Sequence, residues 1–198
     1  MDDLRDIVRG HLHASAEVKA RAAEVCADDI IRAAAIMIDA VSSGGKILLC
    51  GNGGSAADCQ HMAAEFVSRL TSDFARPAIP ALALTTDTSF LTAYTNDIGF
   101  DGLFARQVEA FGRPGDVLLG ISTSGRSANV VRAVEVSRSI GLRAVVLMGS
   151  SGPLEHIADV AIKVPSQSTQ HIQESHLAIE HAICHIVERR LYPGDGSR

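Results

Sequence analysis

The sequence predicts an α/β protein, a three-layer αβα sandwich around a five-stranded parallel sheet with the flavodoxin-like strand order 2-1-3-4-5. Short, near-continuous apolar runs alternate with helical patterns along the chain, which is typical of a parallel sheet covered on both faces. The first and third of these runs end in loops rich in glycine or in hydroxyl groups. In this strand order the chain reverses direction between those two strands, and ligands bind there at the carboxyl ends of the strands.

The chain opens with a helical pattern over residues 3–42, in which Leu4, Ile7 and Val8 recur at helical spacing. Helices placed before the first strand must bury this apolar face, and a second copy of the chain is one partner for it. We therefore expect one domain over residues 1–198, with N-terminal helices for oligomerisation over 1–42 and an α/β core with its C-terminal helix over 43–192.

Apolar runs of four or five residues between glycine, proline or polar turns give the strands. They are predicted over Lys46–Cys50, Ala81–Leu84, Val117–Ile121, Ala144–Leu147 and Val160–Val164. Longer amphipathic stretches give helices over Ala56–Leu70, Ser89–Tyr94, Leu103–Phe111, Ala128–Ile140 and Gln170–Leu191, before a polar tail, Pro193–Arg198. The segments Asn96–Phe100 and Gly149–Pro153 are predicted to be irregular.

Composition excludes several classes of function. With 46% hydrophobic and 21% charged residues, the composition is that of an ordinary globular protein. Its net charge of −5 provides no general positive potential that would attract nucleic acid. Its first residues, MDDLRDIVRG, carry acids where a signal peptide needs bases, and no apolar run is long enough to span a membrane. Four scattered cysteines without a CxxC motif indicate reduced thiols, so we expect a cytoplasmic protein.

The stretch from Lys46 to Leu70 reads as strand, glycine turn and helix. The free N–H groups at the start of that helix, after Gly51–Ser55, form a ready anion site. Farther along, His61 and Glu65 lie at i and i+4, on one face of the helix. An imidazole and a carboxylate one turn apart can serve as a metal pair or as an acid–base pair, although many helices carry such a pair as a solvated contact.

The third strand ends in a second loop that favours an anion. Ser122, Thr123, Ser124 and Ser127 place four hydroxyls within six residues at the start of a helix. The sequence predicts phosphate binding here rather than a simple helix cap. No Walker A lysine follows, and the first loop is not GxGxxG, so nucleotide binding has little support.

The last helix carries Gln173 and His181 eight residues apart. With His61 and Glu65 they would supply two nitrogens and two oxygens, a plausible tetrahedral zinc set in which glutamine is an unusual member.

Four segments together, GNGGSAADCQH, TNDIGF, GDVLLGISTSG and IQESH, resemble the sugar isomerase (SIS) domain family and, within it, the phosphoheptose isomerases. The resemblance covers nearly the whole chain. It implies a zinc-dependent ketose–aldose isomerase that converts sedoheptulose 7-phosphate to D-glycero-D-manno-heptose 7-phosphate through a cis-enediol, the first step of nucleotide-activated heptose biosynthesis for lipopolysaccharide. It also implies a homotetramer with sites built between subunits.

The resemblance assigns roles residue by residue. The zinc ligands would be His61, Glu65, Gln173 and His181, and Glu65 and His181 would also be the catalytic acid–base pair. The sugar phosphate would contact Asn52, Gly53, Gly54, Ser55, Glu65, Asn96, Asp97, Ser122, Thr123, Ser124, Ser127 and Gln173. Arg126 and Gln170 occupy positions where relatives carry other residues, and their roles stay open.

Two alternatives remain at this point. The family includes a non-catalytic SIS-domain binding protein for a replication initiator, which lacks the carboxylate and the histidine found here as Glu65 and His181. A sugar-phosphate-sensing domain of a regulator is disfavoured because the chain carries no DNA-binding segment.

Overall fold

The structure is a computed structural model, and it describes residues 2–194. The elements, in chain order, are α1 (Asp2–Ser42), β1 (Ile47–Gly51), α2 (Gly54–Val67), β2 (Ala81–Ala83), α3 (Thr88–Asp97), α4 (Leu103–Phe111), β3 (Val117–Ser122), α5 (Ala128–Ser139), β4 (Arg143–Met148), α6 (Leu154–Ile157), β5 (Val160–Lys163) and α7 (Thr169–Leu191). A 3₁₀ turn, Phe100–Gly102, precedes α4. Residues 195–198 of the predicted polar tail lie outside the described residues.

The five strands form one parallel sheet in the order β2-β1-β3-β4-β5, which confirms the predicted fold class. Along the central pair, Ile47 lies opposite Val117 and Gly51 lies opposite Ile121. Because β1 and β3 end at the same level, the glycine turn and the hydroxyl loop begin side by side at the carboxyl edge of the sheet.

Helices cover both faces of the sheet. One core joins α1, α2 and α7 to the sheet through residues such as Met37, Phe66 and Ile183, which are fully buried. The other core places α4 and α5 on the opposite face, with Val108 and Val134 fully buried. Every residue of β1 and β3 is buried, which explains why these strands are almost uninterrupted apolar runs.

The N-terminal region differs from the expectation of several helices, because Asp2–Ser42 is one continuous helix of 41 residues. It contains no proline, and its single interior glycine, Gly10, weakens a helix without ending it. From Ser15 onward one face of α1 packs against α7 and β5. The same face continues toward the N-terminus as Leu4, Val8 and their neighbours, which are exposed.

Two shorter elements also differ from the prediction. Helix α3 extends through Asn96 to Asp97, which were expected to be irregular, and the chain leaves it at Gly99, whose φ is +127°. The short helix α6 lies where no helix was predicted. Within residues 2–194, the structure contains no helix that is both long and apolar enough to cross a membrane.

Candidate functional site

The turn between β1 and α2 depends on two glycines. Gly53 has a φ of +57°, a conformation that L side chains rarely adopt, and its carbonyl accepts hydrogen bonds from the N–H groups of Ala56 and Ala57 in the first turn of α2. A Cβ on Gly54 would lie 2.2 Å from Nε2 of Gln173 and 2.6 Å from its Cδ. The missing side chain at Gly54 therefore makes room for the amide of Gln173, which reaches across from α7.

That amide is held by a carboxylate that sequence reasoning did not single out. Nε2 of Gln173 donates to Asp58, at 3.3 Å from Oδ2 and 3.5 Å from Oδ1. Asp58 is 7% exposed, and burial raises the pKa of its carboxyl. Because Nε2 turns toward Asp58, Oε1 of Gln173 stays available as a hydrogen-bond acceptor or metal ligand on the other side of the amide.

Farther along the same two helices, the imidazoles of His61 and His181 meet. Their Nε2 atoms are 2.8 Å apart, and the ring planes are inclined by 69°. Only one proton fits between the nitrogens at this distance, so one ring donates and the other accepts. Oε1 of Glu65 lies 3.7 Å from Nε2 of His61, and Oε2 is buried without a hydrogen-bond partner in the described chain.

The chemistry of these donors fits a divalent transition metal. Two imidazole nitrogens and a carboxylate suit zinc, and the unpaired Oε2 of Glu65 is a buried atom that a cation would satisfy. However, the group of three ligand atoms that lie within 4.8 Å of one another, over residues 2–194, is a different one, formed by His11, His171 and Glu174. His61, Glu65 and His181 must therefore close in before they can share one ion.

The hydroxyl loop is ordered by its own side chains. Ser122 Oγ lies 2.9 Å from Ser127 Oγ and 3.4 Å from Ser124 Oγ, so three of the predicted phosphate ligands form one cluster. Ser127 is the N-cap residue of α5, yet its hydroxyl makes no capping bond and turns toward Ser122 instead. Thr123 is half-buried, while Ser124 and Arg126 are exposed. Arg126 contributes its backbone N–H to Ser124 Oγ at 3.2 Å.

A pair of amides ties the two loops together. Asn52 Nδ2 donates to Asn129 Oδ1 at 2.9 Å, and Asn129 Nδ2 returns a bond to Asn52 Oδ1 at 2.8 Å. Asn129 is 2% exposed and also holds its neighbour Val130 N–H at the start of α5. Asn52 was predicted to contact sugar, and in this structure its side chain fixes the spacing between the glycine turn and the hydroxyl loop. Nothing in the local pattern around Asn129 signalled this role.

The remaining predicted site residues are less closely connected. Ser55 is buried in the first turn of α2, against Gly51. Asn96 and Asp97 are exposed at the end of α3, where Asn96 Nδ2 donates to Asp97 Oδ1 at 2.7 Å. Their side chains bond to each other and to no other predicted site residue within the described part of the chain.

Comparison with known proteins gives consistent results. The family model described as "SIS domain" matches residues 11–149. Among curated proteins, the phosphoheptose isomerase of Roseiflexus sp. (strain RS-1) is 51% identical over 91% of this chain and 91% of its own length. That of Akkermansia muciniphila is 52% identical over 85% of this chain and 88% of its own. Among solved structures, the phosphoheptose isomerase of Neisseria gonorrhoeae superimposes with a TM-score of 0.88 at 42% identity, covering 93% of this chain and 98% of that one.

Proposed function

The chain belongs to the SIS domain family and, within it, to the phosphoheptose isomerases, and we propose that it interconverts sedoheptulose 7-phosphate and D-glycero-D-manno-heptose 7-phosphate. The observation that carries this proposal is the meeting of His61 and His181 beside Glu65, on helices that start next to the hydroxyl loop. Nothing in the comparisons supports the alternative of a non-catalytic SIS-domain binding protein for a replication initiator.

The spacing of the site suits a long sugar. In this substrate the phosphate and the reacting carbons C1 and C2 lie at opposite ends of a seven-carbon chain. Along α2, seven residues separate Gly54, at the loops, from His61, which corresponds to about 10 Å of helix. We place the phosphate on the hydroxyls of Ser122, Thr123, Ser124 and Ser127. The open-chain sugar would then extend past Asn52, Gly53, Gly54 and Ser55, toward the histidine pair.

Isomerisation moves one proton between C1 and C2 and another between O1 and O2. We assign the carbon proton to Glu65, whose carboxylate lies beside His61, and the oxygen proton to His181. Each such group typically contributes about 10²–10⁴-fold to the rate. In the metal-free protein, His61 holds the His181 ring beside Glu65 through the contact between their Nε2 atoms.

We further propose that zinc is held by His61, Glu65, Gln173 and His181. When bound, the ion would supply a positive charge that polarises the carbonyl group of the sugar. Asp58 would contribute by fixing the Gln173 amide with Oε1 directed away from Asp58.

The assembly and setting are also proposals. The exposed apolar face of α1, with Leu4 at 65% and Leu12 at 62% exposure, supports association with further copies of the chain, and we propose the homotetramer typical of the family. Asn96 and Asp97 would then contact sugar in a site completed by a neighbouring subunit. We place the enzyme in the cytoplasm, at the first step of activated heptose synthesis for lipopolysaccharide. Light scattering on the purified protein tests the tetramer.

The experiment that tests the proposal is conversion of sedoheptulose 7-phosphate by wild type, Glu65→Gln and a matched control, Glu109→Gln. Glu109 is an exposed carboxylate of α4 outside the site, so its variant should equal wild type. Glu65→Gln should fold and bind substrate but lose about 10²-fold or more in kcat. No turnover by wild type would overturn the proposed activity, and wild-type turnover by Glu65→Gln would remove Glu65 as the base. Ser124→Ala should raise KM, and an unchanged KM would count against the phosphate loop.

A further inference from the structure

A second cluster of metal-ligating side chains lies where α1 packs against the beginning of α7. His11 of α1 places Nε2 2.8 Å from Oε1 of Glu174, and its ring centroid is 5.0 Å from that of His171. One ligand atom from each of the three residues lies within 4.8 Å of the other two. None of these residues belongs to the site described above.

The donors are the set that zinc and similar ions prefer. Two imidazole nitrogens and one carboxylate oxygen are common zinc ligands, at about 2.0–2.2 Å from the ion, so two ligands of a tetrahedral site are roughly 3.4 Å apart. The His11–Glu174 separation is 2.8 Å and no pair of ligand atoms exceeds 4.8 Å, so only small shifts of the side chains separate this cluster from that spacing. A water molecule would complete the fourth position.

The cluster is built on rigid supports. His171 and Glu174 are three residues apart on α7 and share one face of that helix. His11 approaches them from α1, whose packing against α7 is one of the extensive helix–helix contacts of the fold. Side chains presented by two packed helices keep their geometry better than side chains on loops.

Further residues orient the carboxylate. Ser15, which is 4% exposed, donates its hydroxyl to Oε2 of Glu174 and accepts a bond from Lys19. Oε2 is thereby occupied, and Oε1 faces His11. Lys19 Nζ lies 3.8 Å from Oε2 and offsets part of the carboxylate charge. A hard cation such as Mg²⁺ or Ca²⁺ depends on carboxylate charge, whereas a nitrogen-binding ion does not, so this arrangement favours zinc, cobalt or nickel.

We propose that His11, His171 and Glu174 form a second transition-metal site, which fastens the N-terminal half of α1 to the start of α7. It is independent of the isomerase activity and of the zinc set on α2 and α7. Its effect is to hold α1 in place at the last turn before that helix extends beyond the core with its exposed apolar face.

The test counts Zn²⁺ equivalents per chain on chelator-treated, full-length protein, by competition with a chromophoric chelator. To separate the two sites it is performed in a His181→Ala background, which weakens the predicted catalytic set. We expect one tight equivalent to remain there and to be lost in His181→Ala/His11→Ala. The matched control, His181→Ala/His13→Ala, removes an exposed histidine two residues away and should keep it. Ser15→Ala should weaken binding about 10-fold or more, because it releases the carboxylate.

The outcomes separate the two proposals. If His181→Ala alone binds no zinc, the second site is refuted. It is also refuted if His181→Ala/His11→Ala binds as much zinc as the control His181→Ala/His13→Ala. If wild type and His181→Ala bind the same number of Zn²⁺ equivalents and His181→Ala/His11→Ala binds none, the second site is supported and the proposed catalytic zinc is refuted. Zn²⁺ should also raise the Tm of His181→Ala/His13→Ala but not that of His181→Ala/His11→Ala. This measurement does not depend on turnover.

Discussion

Replacing Arg76 by methionine should remove a buried ionic connection between the two helices that carry the site. Its guanidinium is 1% exposed, and Nε lies 3.1 Å from Oε2 of Glu188, whose side chain on α7 is equally buried. The other two nitrogens donate to the last carbonyls of α2: Nη2 to Glu65 at 2.7 Å and Nη1 to Phe66 at 2.7 Å. Arg76 thus satisfies carbonyls at the C-terminal end of α2, which no later turn of that helix reaches, and pairs with a charge on α7.

The magnitude follows from what the substitution leaves behind. Removing one partner of a buried ion pair typically costs about 3–5 kcal/mol, because the other charge stays buried without compensation. The Glu65 carbonyl loses its donor, which costs roughly another 1 kcal/mol or more, whereas the Phe66 carbonyl keeps the backbone N–H of Ile79 at 3.0 Å. Against a typical total of about 5–15 kcal/mol, Arg76→Met should therefore lose a large share of the free energy of unfolding, at least ~3 kcal/mol. Replacing both residues, as Arg76→Met/Glu188→Met, should recover part of that loss, since no charge remains buried.

The assay is urea unfolding followed by circular dichroism, at one fixed protein concentration so that association contributes equally to every sample. Arg69→Met is the matched control. Arg69 is exposed and makes one long contact, 3.5 Å to the carbonyl of Ser72, so its loss should cost less than about 0.5 kcal/mol. A value for Arg76→Met within about 0.5 kcal/mol of wild type would refute the reasoning. A double variant no more stable than the single one would refute the account based on the buried charge.

Two further predictions concern the helix pair itself. Gly54→Ala should displace the Gln173 amide, because the new Cβ would lie 2.2 Å from Nε2. We expect the variant to fold normally and to bind zinc about 10–100-fold more weakly, as measured by competition with a chelator. An unchanged zinc affinity would contradict this role of Gly54. Glu180 is fully buried, and burial together with Asp58 raises the pKa of its carboxyl from 4.5 to about 8. The neutral form is therefore favoured in the folded state, so metal-free protein should lose stability as pH rises from about 4.5 through 8, by on the order of 4 kcal/mol. Thermal unfolding measured across this pH range should show the loss of stability in wild type and not in Glu180→Gln. Parallel plots of Tm against pH for the two proteins would refute the assignment to Glu180.

The sheet was predictable because its signals are local. Each strand is an apolar run between glycine, proline or polar residues, and the alternation with helices restricts the connections to parallel, right-handed crossovers. The predicted and observed bounds of α4 coincide. Those of β2, β3 and β5 differ by one residue at one end, and those of β1 and β4 differ by one residue at each end. Larger differences occurred where two signals compete. Asn96 and Asp97 favour turns, yet Tyr94 packs into the core beside them and α3 continues to Asp97, with Gly99 ending the turn.

Which residues reach the site was predictable to the extent that helical spacing decides it. His61 and Glu65 had to share a face of α2, and Gln173 and His181 had to follow one side of α7. That Nε2 of His61 would meet Nε2 of His181 across 120 positions of the sequence depends on how the two helices pack, which periodicity does not determine. Spacing gives the direction in which a side chain points; the partner it finds is set by tertiary structure.

The residues that hold the site were missed for the same reason. Asn129, Asp58 and Arg76 each bond to a residue at least ten positions away, and although Asp58 lies within the segment GNGGSAADCQH, its own spacing signals no role. In sequence, Asn129 looks like an ordinary residue of a helix start, and Arg76 like a charge in an exposed connection. Both are almost completely buried, and a buried amide or guanidinium must find partners or destabilise the fold. Their burial therefore identifies them as supports for the loops and helices that carry the predicted chemistry, and only the folded chain reveals that burial.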